Sequence, residues 1–95
     1  MKAKIVKDIE KIVFRRFYSE SEIIDQVEKI LNLKIISMDR EKISEKDESE
    51  FIPDYSFLIE IDAKKIGEQY CMLTIWYLRD RQKKYIITEV QLLFE

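Results

Sequence analysis

Between Tyr55 and Phe94 the chain reads as three strand-like runs cut apart by short polar punctuation. Tyr55–Asp62 leads through Ala63-Lys64-Lys65-Ile66-Gly67 into Gln69–Arg79, and Asp80-Arg81-Gln82-Lys83 then turns the chain into Lys84–Phe94. Short connections between strong strands favour an antiparallel meander over parallel crossovers. Pro53 stands just before the first run, where a missing amide donor does least harm. The middle run contains YCMLTIWYLRD, Tyr70 to Asp80, which is apolar on both sides. Cys71, Leu73, Ile75 and Tyr77 alternate with Tyr70, Met72, Thr74, Trp76 and Leu78. A half-buried strand needs only one apolar side, so the second side has to be accounted for.

With tight turns, Phe57 falls opposite Leu73 and Leu73 near Val90. Strict alternation then gives one face Phe57, Ile59, Cys71, Leu73, Ile75, Tyr77, Ile86, Thr88, Val90 and Leu92, with no charge on it. That face suits a layer of helices. The other face takes Leu58, Glu60, Tyr70, Met72, Trp76, Leu78, Tyr85, Ile87, Glu89 and Gln91. Its polar members call for water, while its apolar ones gather toward the last hairpin.

The helices come from the N-terminal half. Ile5, Val6, Ile9, Ile12, Val13 and Phe17 recur at helical spacing and predict a helix over about 3–17. Ser19-Glu20-Ser21-Glu22 is a capping-box pattern opening a second helix over about 20–31, with Ile23, Ile24, Val27, Ile30 and Leu31 as its stripe. Asn32 suits a left-handed stop. Lys34–Met38 reads as a short first strand, and 39–50 as a charged, solvated acidic loop. The expected fold is a single α+β domain, 1–95. Two N-terminal amphipathic helices pack on one face of a four-stranded, mainly antiparallel sheet, with a meander over 54–94.

Absences restrict the chemistry. The chain has no His, one Cys (Cys71) and one Gly (Gly67). It therefore lacks the commonest proton shuttle and metal ligand, a thiolate cluster or internal disulfide, and glycine-rich phosphate loops. The acids of EKDESE also lack the alternating spacing that wraps calcium. We expect no enzyme activity, no cofactor and no metal. The start, MKAKIVKDIEKIVF, is broken by charges at every turn, so neither a signal peptide nor a membrane span is expected, and cytoplasmic localisation is. Lys+Arg of 17 against Asp+Glu of 19 gives a net charge of −2, too small for bulk attraction to nucleic acid or an anionic membrane.

Local clusters remain. Trp76, Tyr85, Met72 and Tyr70 make a candidate partner-binding patch, since Trp and Tyr dominate binding hot spots; the alternative is that the first helix folds over this face and buries it. Glu45, Asp47, Glu48 and Glu50 could mimic a phosphate backbone and occupy a basic cleft, or simply be a solvated loop. At the hairpin tip, Arg79, Arg81, Lys83 and Lys84 sit beside Trp76 and Tyr85 and face only Asp80. That pairing of cations and rings suits single-stranded nucleic acid, but charges at turns also discourage stray strand pairing. Cys71 falls on the helix-covered face, as an inert small hydrophobe.

Two short helices, an acidic linker and a closing antiparallel meander in a small acidic chain without His resemble the immunity proteins that neutralise contact-dependent growth inhibition toxins. The layout is also similar to small phage- or virus-encoded inhibitors of nucleases. The resemblance spans the whole chain in layout and character, with no shared motif. It implies a stoichiometric inhibitor of a cognate toxin or nuclease. The alternatives are a nucleic-acid-binding module at the 79–85 tip, with weak binding expected, and a homodimeric accessory protein.

Overall fold

The computed structural model describes residues 2–43 and 53–94. The first helix, α1, spans Lys2–Glu10 and is shorter than its apolar periodicity predicts. Past Glu10 the hydrogen bonds tighten to i→i−3: Lys11 N–H to the Asp8 carbonyl (3.3 Å), Ile12 to Ile9 (3.2 Å) and Val13 to Glu10 (3.1 Å). Phe14 then takes a left-handed conformation at φ 67 and ends the helix. Beyond it, Arg16–Phe17 form a short strand, β1. The periodicity was right about burial, with Ile9, Ile12 and Phe17 all in the core. It was wrong about conformation, because β-branched Ile12-Val13 are poor helix formers and a sheet edge competes for the backbone beyond them.

Helix α2, Glu20–Leu31, starts and stops as expected. The Ser19 hydroxyl accepts from the Glu22 N–H (3.1 Å), and the Glu22 carboxylate reaches back one residue further than a capping box, to the Tyr18 N–H (3.1 Å). Asn32 at φ 51 donates its N–H to the Glu28 carbonyl.

Among the described residues the sheet has five strands, not four. β2 (Ile35–Lys42), β3 (Tyr55–Ile61), β4 (Cys71–Arg79) and β5 (Tyr85–Phe94) form the meander, and β1 pairs with Tyr85 and Ile86 at its far edge. The order is β1-β5-β4-β3-β2 with every pair antiparallel. β2 runs past Met38, so 39–42 are strand and not loop. Asp39, Arg40, Glu41 and Lys42 pair with Leu58, Phe57, Ser56 and Tyr55. All four are exposed, and an edge strand accepts charge that a central strand would reject. Glu45, Asp47, Glu48 and Glu50 lie outside the described residues.

The meander register is two residues from the tight-turn expectation: Phe57 pairs with Ile75, Ile59 with Leu73, and Leu73 with Leu92. Between β3 and β4 the cause is a wider connection, with a 3-10 turn at Lys64–Ile66 closed by Gly67 at φ 79; between β4 and β5 the turn supplies one residue of the shift and a bulge the other. A shift of two keeps every side chain on its face. A second departure does not. Trp76 pairs with Glu89 but Tyr77 with Ile87, leaving Thr88 as an extra residue in a β-bulge. The Thr88 hydroxyl donates to the Trp76 carbonyl (3.2 Å). Without the bulge Thr88 would face the core. With it, Ile87 and Tyr85 turn inward and Ile86 turns out, which corrects the alternation drawn from the sequence.

The core joins Ile9 and Ile12 beyond α1, Phe17 of β1, and Ile23, Val27 and Leu31 of α2 to Phe57, Ile59, Ile61, Cys71, Leu73, Ile75, Tyr77 and Ile87. Every sheet residue here belongs to one face, so both helical segments cover that side. Leu58, Met72, Trp76, Leu78, Ile86 and Leu93 contribute nothing to this cluster or its margin. Among the described residues, no helix is long and apolar enough to cross a membrane.

Candidate interaction surface

The side of the sheet away from the helices, here called the open face, is built by cross-strand registry. One row across it reads Glu89, Trp76, Ser56, Glu41; the next, Gln91, Thr74, Leu58, Asp39; the next, Leu93, Met72, Glu60, Ser37. Beyond the bulge, Leu78 pairs with Ile86, and Ile86 with Arg16. Trp76 therefore has a carboxylate beside it and an aliphatic patch along its own strand. Leu58, Met72, Trp76, Leu78 and Ile86 are half-buried by their neighbours, and Leu93 is 51% exposed. Ser37 donates a hydroxyl hydrogen bond to the Glu60 carboxylate (3.2 Å).

The strands sort their charges by side. Asp39, Glu41, Glu60 and Glu89, the only strand carboxylates among the described residues, all lie on the open face. Arg40, Lys42 and Arg79 lie on the helix side, leaving Arg16 as the single strand cation on the open face. The result is an apolar centre around Trp76 inside an acidic field. Such a surface attracts cations at a distance and offers contact area at short range.

Of the expected partner-binding residues, Trp76 and Met72 are on this face. Tyr70 immediately precedes β4 and is half-buried outside the paired ladder. Tyr85 is not part of the patch: the bulge turns it to the helix side, where its ring meets Tyr77 edge-on at 5.6 Å and lies under the Arg79 guanidinium. Alternation along the strands also puts Leu58 and Leu78 on this face, and the bulge brings Ile86 to it from the side that strict alternation assigns. Asp39 and Glu41 were missed because a run of charges reads as loop; their alternation with Arg40 and Lys42 was the available signal.

The helix side offers less to a ligand. Arg40 donates to Glu20 (2.8 Å), which raises its pKa, and its guanidinium lies over the Tyr55 ring at 5.2 Å. Beside this pair, Tyr77 is fully buried and its hydroxyl has no hydrogen-bond partner among the described residues. Burial, and then the Glu20 charge, hold the phenol well above its ordinary pKa. Burial likewise pushes the Cys71 thiol up, away from the reactive thiolate. A cleft of about 310 Å³ between α2 and the sheet is lined by Glu20, Ser21, Ile24, Asp25, Met38 and Phe57. Among the described residues no three carboxylates or thiols group as metal ligands would.

No family model matches the chain, and neither a curated protein nor a solved structure matches it.

Proposed function

We propose that this protein is a stoichiometric protein-binding inhibitor, an immunity protein that neutralises a cognate toxin or nuclease by covering its basic active or binding cleft. The observation that carries this reading is the coincidence, on the face away from the helices, of Trp76 and its apolar neighbours with all four strand carboxylates of the described residues. A nuclease cleft is basic because it holds phosphates. Asp39, Glu41, Glu60 and Glu89 steer that cleft toward the face, and Trp76, Met72, Leu58 and Leu78 then exclude water and slow dissociation. The protein performs no chemistry of its own and needs no cofactor. Its work is done in the cytoplasm, where the cognate enzyme would otherwise act.

The same charges disfavour the homodimer alternative through this face. A two-fold axis apposes a surface to itself, so the acidic set would meet its own copy with only Arg16 to offset it.

The test begins with the toxin- or nuclease-like product of a neighbouring gene, mixed with this protein and measured by calorimetry and by residual nuclease activity. One-to-one binding with loss of activity is expected. Trp76→Ala should weaken binding by about 30- to 1,000-fold, the range for truncating an interface aromatic worth about 2–4 kcal/mol. A complex indifferent to both Trp76→Ala and neutralisation of Glu60 and Glu89 would overturn the reading.

A further inference from the structure

The end of the sheet that carries the β4–β5 turn has the opposite character to the open face. Tyr85 and Ile86 pair with Phe17 and Arg16, and two more bonds extend the contact: Phe14 N–H to the Ile87 carbonyl (2.7 Å) and Ile87 N–H to the Arg15 carbonyl (3.3 Å). Segment 14–18 is thereby fastened beside the turn, although about sixty residues separate the two in sequence. Together 14–18 and 79–85 hold six cations, Arg15, Arg16, Arg79, Arg81, Lys83 and Lys84, against one carboxylate, Asp80. Asp80 is occupied by the turn itself: its Oδ1 accepts from the N–H groups of Gln82 (2.8 Å) and Lys84 (2.9 Å), and its Oδ2 stands 4.0 Å from Arg16. Two other carboxylates border the cluster, and both accept backbone bonds: Asp54 from Arg79 N–H and Glu22 from Tyr18 N–H.

Two large rings stand out from this end. Phe14 is 69% exposed and Tyr18 is 74% exposed, the two most exposed large hydrophobic side chains described. Neither exposure is explained by packing. Phe14 is held at φ 67, a conformation a bulky side chain adopts only when its surroundings impose it, and here the bond to Ile87 does so. Lys84 Nζ lies 5.1 Å from the centre of the Tyr18 ring, so a cation and a stacking platform already stand side by side.

We propose that β1 and the β4–β5 turn together form a binding site for single-stranded nucleic acid, with phosphates met by the six cations and bases stacked on Phe14 and Tyr18. Open rings favour single strands, because bases inside a duplex are already stacked and cannot use them. The cations also wrap the end of the sheet instead of sharing one plane. Arg16 lies on the open-face side with Ile86, while Arg15 lies over Phe17 at 5.5 Å and Arg79 over Tyr85 at 6.0 Å on the helix side. A flexible strand can follow that curve; a flat anionic membrane would engage one side of it.

The site adds two arginines and two rings to the tip cluster legible in the sequence. Six phosphate contacts on a single strand give a slope of log K against log salt near −4, so affinity should fall roughly 300-fold between about 50 and 200 mM salt. The probe is a fluorescein-labelled oligo-dT of about 15 nucleotides, read by anisotropy. Arg15→Gln with Arg81→Gln should reduce the slope to roughly −3. Phe14→Ala and Tyr18→Ala should each weaken binding by about 5- to 150-fold, with far-UV circular dichroism confirming that these exposed changes leave the fold intact. Absence of saturable binding at about 50 mM salt would overturn the proposal. So would indifference to both ring removals, equal affinity for a duplex of the same length, or tighter binding to phosphatidylserine vesicles than to the oligonucleotide. No protein partner enters the experiment, so its failure leaves the open-face reading standing.

Discussion

The bulge at Thr88 decides which isoleucine of Tyr85-Ile86-Ile87 stabilises the core and which belongs to the interaction surface, and two substitutions test it. Ile87 is fully buried, at 0% exposure, while Ile86 is half-buried on the open face. Truncating a fully buried Ile to Ala removes its transfer free energy and leaves a cavity, together about 2–5 kcal/mol. At Ile86 solvent fills the vacated space, so only part of the transfer term is lost, about 1 kcal/mol or less. A domain of this size has a total stability of roughly 5–14 kcal/mol, so Ile87→Ala removes a large fraction of it. In urea, with a slope of about 1.5 kcal/mol/M, a loss of about 3 kcal/mol lowers the midpoint by about 2 M, whereas Ile86→Ala lowers it by roughly 0.7 M at most. Equal shifts, or the reverse order, would refute the bulge. The reverse order would return Ile86 to the core and Tyr85 to the Trp76 patch.

Trp76 should behave as a surface residue in the free protein: Trp76→Ala costs about 1–2 kcal/mol, against about 2–5 kcal/mol for Leu73→Ala on the helix face, as compared by thermal melts. A Trp76→Ala loss as large as that of Leu73→Ala would mean that the face is covered. Tyr77→Phe should leave stability at pH 7 unchanged or raise it by about 1 kcal/mol, because it removes a buried hydroxyl without a partner. The folded-state pKa of Tyr77 is raised, so its contribution is fully present below the ordinary value of 10.0 and is lost as pH climbs above it. Tyr77→Phe should accordingly soften the alkaline fall in melting temperature, and an unchanged alkaline limb would contradict this. Ser19→Ala removes the hydroxyl that accepts from Glu22 N–H and should cost about 1 kcal/mol, while Ser21→Ala, at the second helical position and exposed, should be near neutral.

What the sequence by itself determined is the part of the structure that is specified locally. Ser19, Glu22 and Asn32 bound α2 because each interacts with backbone within four residues of itself. Alternation along Tyr55–Ile61 and Cys71–Tyr77 separated Trp76 and Met72 from Leu73 and Ile75, since successive strand residues must point to opposite sides. The tertiary structure decided everything that needed a second strand. Residues 12–17 place Ile12 and Phe17 in the core equally well as helix or as turn and strand, and only the hydrogen-bonding edge of β5 selects the latter. That edge brings Phe14, Arg15, Arg16 and Tyr18 beside the β4–β5 turn, a juxtaposition invisible from spacing along the chain. The extra residue at Thr88 exists only relative to β4, and it exchanges the sides of Tyr85, Ile86 and Ile87 together. Asp39 and Glu41 acquire their meaning in the same way: charge in a segment reads as loop until pairing with Leu58 and Ser56 puts both carboxylates on the same face as Glu60 and Trp76. Alternation and capping act over a few residues, whereas register and edge pairing are set by partners far away in the chain.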